Sequence, residues 1–325
     1  NAWRESLQPE VAGAAVAVGG VVLLGPREHV DWTETDAPEV PDLGALDPWL
    51  AERESRFEDR VAGTEKRIVW YEGRVATTTA AVVYLHGFSA TRQELAPVPE
   101  RVAAALGANL FETRLAGHGR SGEALASADA EDWVADYREA VEIGRRLGDR
   151  VVVLGCSTGA TLDAIGASYW PQRVVAAHVW ISPNFAPQAT SARLLTWPWA
   201  RIWIPWVAGE RRTWEPVNPQ QGRYWTTSYP IEALFPMQAL VDVAQVAPLE
   251  RIRAPTLVVH STDDPVIRPD AVVEAFERVG AETKVRMPMT GVQDPHVLAG
   301  DIMSPDNTDP VVDRVVEFLE RALAP

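Results

Sequence analysis

Valine-rich runs alternate along this chain with stretches whose apolar residues recur every three or four positions, and the alternation becomes regular from residue 66 onward. KRIVWYEG (66–73) and TAAVVYLHG (79–87) read as strands. The second is nearly continuous in apolar residues, as strands buried on both faces are. PVPERVAAALG (97–107) reads as a helix closing at Gly107, and ANLFETRL (108–115) as a short strand. AEDWVADYREAVEIGRRLG (130–148) is a long amphipathic helix whose apolar side carries Trp133, Val134, Tyr137, Val141 and Ile143. The strand RVVVLG (150–155), a helix from Ser157 to Ser168 and the strand RVVAAHVWIS (173–182) continue the rhythm. Past Pro183 it breaks, and residues 183–254 hold Pro, Trp and Tyr without strand alternation. It resumes with APTLVVHS (254–261), a helix over 269–279, ETKVRMP (282–288) and a final helix over 309–323. Strands alternating with helices predict an α/β fold, with a mostly parallel central sheet and helices on both faces. The expected core is 66–182 and 255–325, interrupted by a Trp-rich helical cap insert at 183–254.

Residues 1–65 are expected to form an N-terminal arm and linker. DPWLAERESRFEDR (47–60) reads as a helix with an Asp-Pro start, after a Pro- and acid-rich linker at 26–46. Ahead of them VAGAAVAVGGVVLLG (11–25) is an uncharged apolar run, shorter than the about 20 residues a spanning helix needs. The preferred reading is a helix or extended arm packed on this protein or on a second subunit of a homodimer. The alternative is a membrane anchor or targeting segment, although the flanks carry Glu5 and Glu10 with only Arg4 for a basic region. The first reading fits a cytoplasmic protein, the second a membrane-associated or exported one.

Composition narrows the chemistry. With 46% hydrophobic and 23% charged residues the 325-residue chain is of folded, globular type. A net charge of −15 argues against nucleic acid and anionic lipid surfaces, both of which demand a basic face. The single cysteine, Cys156, excludes an intrachain disulfide and reads as a small buried residue. With six histidines and no CxxC or HExxH spacing, no metal or organic cofactor is expected.

The strongest local signal is GCSTG (155–159), where a valine strand hands over directly to a helix. Gly155 and Gly159 permit an approach that side chains would block, leaving Ser157 on a tight turn at the carboxyl edge of the sheet. A serine hydroxyl needs a neighbouring base, expected downstream in the order Ser, acid, His. His260 lies inside the strand TLVVHS and reads as a core or strand-end residue, whereas His296 sits in a loop before the last helix and is the candidate base. Asp264 and Asp263, just past the preceding strand, are the candidate orienting acids, with Asp264 favoured by register and Asp263 facing solvent or capping the turn. The oxyanion donors are expected to be the N–H groups of Thr158 and of Phe88 in the loop after an early strand, with His86 bracing that loop.

HGFSA (86–90), RLAGHGRS (114–121), GCSTG, STDDPVI (261–267) and DPHVL (294–298) together resemble the α/β-hydrolase superfamily. Within it they are similar to the monoacylglycerol lipase-like and serine aminopeptidase-type branch, over roughly 66–323. The resemblance implies the α/β-hydrolase fold, a Ser157–Asp264–His296 triad and an oxyanion hole at Phe88 and Thr158. It departs from the proline iminopeptidase pattern, with HGFSA in place of HGGPG. A serine stands where epoxide hydrolases and haloalkane dehalogenases carry an aspartate.

Six of the 13 tryptophans fall in 183–254. Most are expected to form the insert's own core, with Trp197, Trp203, Trp206 and Trp225 as candidates for lining an apolar substrate pocket, and an exposed apolar face as a third reading. The resulting expectation is a serine esterase acting on small hydrophobic esters. Its rivals are an acylglycerol lipase, an amidase or peptidase, an acyltransferase, and, outside the enzymes, a binding module on the same scaffold.

Overall fold

The computed structural model describes residues 24–31, 39–171 and 173–324. Most of the apolar run at 11–25 therefore lies outside the described residues, as do residues 32–38 of the expected linker. In chain order the elements are α1 (Leu46–Ser55), β1 (Arg67–Val69), β2 (Thr78–Leu85), α2 (Val98–Ala105), β3 (Asn109–Glu112), α3 (Gly122–Ser127) and α4 (Ala130–Leu147). There follow β4 (Gly148–Cys156), α5 (Thr158–Tyr169), β5 (Val175–Ile181), α6 (Ala200–Ala208), β6 (Arg211–Thr213), α7 (Pro219–Tyr224), β7 (Ser228–Pro230) and α8 (Leu234–Val246). The chain closes with β8 (Thr256–Ser261), α9 (Pro269–Arg278), β9 (Lys284–Met289) and α10 (Pro305–Ala322).

Seven strands form one sheet in the order β1-β3-β2-β4-β5-β8-β9, parallel throughout except for β1, which runs antiparallel to β3 at one edge. The continuous apolar run of β4 follows from burial on both sides. Val152, Leu154 and Cys156 pack toward α2 and α10, while Val151 and Val153 pack toward α4. Period two sorts them to opposite faces, so the strand needs apolar residues at every position. Helix α4 starts at a reciprocal capping box between Asp129 and Asp132 and buries Trp133, Val134, Tyr137, Val141 and Ile143 as its periodicity predicts.

Several boundaries differ from the expectations. The first turn of α10 begins at Pro305, upstream of 309, with Pro310 inside the helix, because Pro305 at its first position fits a helix start. Helix α1 forms where a helix over 47–60 was expected but ends at Ser55; Leu46 and Leu50 join the core beneath the sheet, and Glu54 is buried against Arg114 in a two-pronged ion pair of 2.8 and 2.9 Å. Between β5 and β8 the chain is not wholly helical, since β6 and β7 pair as a short antiparallel ribbon. Three residues per strand are too few to show alternation. Helix α8 packs its Ala239, Leu240 and Ala244 into the same cluster as α5, so the end of this insert belongs to the core. The described segment 24–31 lies along the insert, with Trp199 N–H donating to Pro26 O (2.8 Å) and Arg201 pairing with Glu28 (2.8 Å).

Candidate active site

The turn from β4 into α5 is as close as two glycines allow. A Cβ on Gly155 would stand 2.6 Å from Ala160 Cα, and one on Gly159 would stand 2.1 Å from Leu85 O. Ser157 between them has φ +48° and ψ −113°, a left-handed conformation that costs a non-glycine residue about 1–3 kcal/mol. The strain is held by hydrogen bonds on both sides of the residue. Ser157 N–H donates to Ile181 O (2.9 Å), and Ser157 O accepts from Thr161 N–H (3.0 Å) and Thr161 Oγ1 (3.1 Å).

The loop after β9 brings His296 over this turn. His296 Nε2 lies 3.1 Å from Ser157 Oγ, and His296 Nδ1 lies 2.8 Å from Asp264 Oδ2. Asp264, in the turn after β8, is fixed in its place, its Oδ1 accepting the N–H groups of Val266 (2.8 Å) and Ile267 (3.0 Å). Asp263 is exposed and its N–H binds Ser261 Oγ, so of the two candidate acids the structure brings Asp264 to the histidine. Burial disfavours the imidazolium of His296, but the hydrogen bond and charge of Asp264, helped by Asp294 and Glu94, outweigh it and hold the ring above the ordinary histidine range.

Two residues that pattern reading missed hold the histidine loop. Asp294 Oδ1 accepts from the N–H groups of His296 (2.8 Å) and Val297 (2.7 Å), and Ser182 Oγ donates to His296 O (2.6 Å). The Asp-Pro-His order offered a signal for the first, because Asp side chains commonly bind backbone two residues on. Nothing in the sequence pointed to Ser182.

Phe88 and Thr158 line the same cavity as Ser157 and His296. Thr158 is the first residue of α5, so its N–H lacks an intrahelical acceptor. His86 sits behind the other loop. Leu115 N–H donates to His86 Nε2 (3.0 Å), which leaves the ring proton on Nδ1 to donate to Gly87 O (2.9 Å). Burial and the neighbouring His118 hold His86 well below the ordinary range, so it stays neutral. Cys156 is fully buried, and burial together with Glu94 pushes its thiol well up, keeping it protonated.

The cavity over Ser157 has a volume of about 470 Å³. Its apolar walls include Leu195, Trp214, Trp225, Tyr229, Leu234 and Met237. Of the four tryptophans expected there, only Trp225 is present, and Trp214 was not anticipated. Trp197 and Trp206 point to solvent at 52% and 88% exposure, and Trp203 packs into the insert's own cluster with its Nε1 on Pro198 O. Helical geometry explains this: α6 buries Ala200 and Ile204, which turns Ile202 and Trp206 to the opposite side.

The sequence profile of the serine aminopeptidase (S33) family matches residues 76–289. The chain belongs to this family. It is a serine hydrolase of the α/β-hydrolase fold. Ser157 and Asp264 fall within the matched span and His296 just past it. No curated protein matches the chain by sequence. Among solved structures, one of the two metagenome-derived lipolytic enzymes LipS and LipT aligns at TM-score 0.66 and 21% identity, over 81% of this chain and 99% of its own. The monoacylglycerol lipase of Paleococcus ferrophilus aligns at 0.58 and 16% identity, over 78% of this chain and 98% of its own. A soluble variant of the Saccharomyces cerevisiae monoglyceride lipase aligns at 0.60 and 12%, over 80% and 92%. At these identities the likeness is one of fold. Among the described residues no helix is long and apolar enough to cross a membrane.

Proposed function

We propose that this S33-family hydrolase is a carboxylic ester hydrolase for hydrophobic esters, acting through a triad of Ser157, His296 and Asp264. The observation that carries the reading is the unbroken hydrogen-bonded line from Ser157 Oγ through His296 to Asp264, at 3.1 and 2.8 Å, opening on a largely apolar cavity. His296 takes the Ser157 proton as Oγ attacks the ester carbonyl, and Asp264 holds the ring in the tautomer with Nδ1–H and steadies the imidazolium. The Phe88 and Thr158 N–H groups receive the oxyanion at the positive end of α5. His296 then protonates the leaving alcohol, and water activated by the same ring releases the acid. The segment between β5 and α8 acts as a cap whose ribbon and turns shape the acyl pocket.

The aminopeptidase reading is less well supported. A free α-amino group needs a carboxylate anchor, and the one carboxylate among the described lining residues is Asp294, whose Oδ1 already serves two backbone N–H groups. The test is hydrolysis of p-nitrophenyl esters of graded chain length beside a monoacylglycerol and an aminoacyl amide, with Ser157→Ala as control. Ester turnover lost in Ser157→Ala is expected. Turnover surviving in that variant would overturn the mechanism, and preference for the amide would overturn the substrate class.

A further inference from the structure

Beneath the loop that carries Phe88 lies a buried carboxylate that the mechanism does not use. The turn 92–94 follows that loop and folds the Glu94 side chain back under it, where the residue is 2% exposed. Glu94 Oε1 accepts the Gly87 N–H at 2.5 Å and the Tyr84 hydroxyl at 2.9 Å, and the Cys156 thiol is a third hydrogen-bonding neighbour. The same glycine touches the nucleophile. A Cβ built on Gly87 would stand 3.0 Å from Glu94 Oε2 and 3.2 Å from Ser157 Cβ. Among the described residues no Lys or Arg pairs with Glu94. A buried carboxylate without a cation costs several kcal/mol, and an apolar side chain would fill the space without that penalty. What the carboxylate adds is an acceptor for the Gly87 N–H.

That acceptor sits at a mechanically sensitive point. Gly87 is the most permissive residue of the loop, and its φ and ψ set the direction of the next peptide N–H, that of Phe88. The peptide on one side is held by Glu94 through Gly87 N–H, and the peptide on the other by His86 Nδ1–H through Gly87 O. No acceptor among the described residues takes the Phe88 N–H. We propose that Glu94 is the positioning residue of the oxyanion hole, clamping Gly87 so that the Phe88 N–H is aimed at the carbonyl oxygen before substrate arrives. This rests on the serine hydrolase mechanism above and adds a residue to it. The titratable groups facing Glu94 are Tyr84 on β2, Cys156 at the end of β4 and His296 on the loop after β9, and burial lifts its own carboxyl to about 7.

The test measures the second-order rate of Ser157 phosphonylation by an alkyl fluorophosphonate. That reaction builds the same charge at the oxygen whichever ester is the substrate, so it separates this proposal from the ester assignment. Ser157→Ala must abolish labelling; if it does not, the nucleophile assignment fails rather than the role of Glu94. Glu94→Gln keeps a carbonyl acceptor and is expected within about 5-fold of the parent, while Glu94→Leu is expected to lose about 10- to 100-fold, as misaimed oxyanion donors do. With p-nitrophenyl butyrate the leucine variant should lose this factor in kcat with KM nearly unchanged. A folded leucine variant within 2-fold of the parent overturns the proposal. Should that variant fail to fold, Glu94→Ala, which also removes the acceptor of the Gly87 N–H, takes its place, and labelling by a folded Glu94→Ala variant within 2-fold of the parent overturns the proposal.

Discussion

At Ser157 the backbone is held at φ +48° by contacts that leave no room for a side chain on either flanking glycine. Gly159→Ala would drive a methyl into Leu85 O, and overpacking of this kind costs about 1–3 kcal/mol or more. The expected outcome is a lower Tm together with loss of activity, read by thermal melt and ester assay; an unaltered melt would show that the strand–helix contact relaxes freely. In the proposed triad His296 must be neutral to accept the serine proton, and its pKa lies above the ordinary value because the hydrogen bond and charge of Asp264 outweigh the effect of burial. Activity is therefore expected to fall as pH drops through a value above 6.5. Asp264→Asn should move that limb to lower pH while lowering kcat by about 10³- to 10⁴-fold, as loss of the orienting acid does in a Ser-His-Asp triad. Glu94 ties stability rather than activity to pH. Its folded pKa of about 7 exceeds the ordinary 4.5, so the stability it contributes is fully present below pH 4.5 and is lost as pH rises to about 7. The Tm of Glu94→Gln relative to the parent should accordingly rise between pH 5 and pH 8, and a flat difference would place the Glu94 pKa elsewhere.

Among the elements, the insert shows where periodicity stops helping. Helix α6 is apolar nearly all round, so its sequence does not say which side faces the core. Burial of Ala200 and Ile204 settles this, leaving Trp206 at 88% exposure, while Trp225, in the segment joining the two ribbon strands, stands at the pocket wall. Trp206→Ala is expected to change stability by no more than about 0.5 kcal/mol and the chain-length profile not at all. Trp225→Ala should enlarge the cavity and shift the preferred acyl chain to greater length, measured across the p-nitrophenyl ester series. An unchanged optimum would place the acyl chain against another wall. Helix α5, by contrast, was legible in full: a valine strand, a glycine-flanked serine and a small-residue helix admit few other packings.

For the molecule as a whole, the sheet order and the three-point site depend on long-range contacts. Ser157, Asp264 and His296 follow strands β4, β8 and β9, and the parallel sheet sets all three strand ends at one edge. The N-terminal helix α1 is stitched under the sheet by the Glu54–Arg114 pair and by Leu46 and Leu50. Removing one partner of a buried pair strands the other charge, so Glu54→Ala should cost about 3–5 kcal/mol, read as a fall in denaturant midpoint. A loss below about 1 kcal/mol would mean that α1 is peripheral. By itself the sequence determined the fold class and the strand–serine–helix turn, and it named His296 and Asp264 as candidates that the structure sets in line with Ser157. Those signals are local, written in apolar period and in glycines that only one backbone geometry requires. Tertiary structure alone decided which tryptophans face the cavity, that Asp294 and Ser182 hold the histidine loop, and that Glu94 lies under Gly87 beside Ser157. These depend on which residues distant in the chain come to share a few ångströms, and neither periodicity nor spacing encodes that.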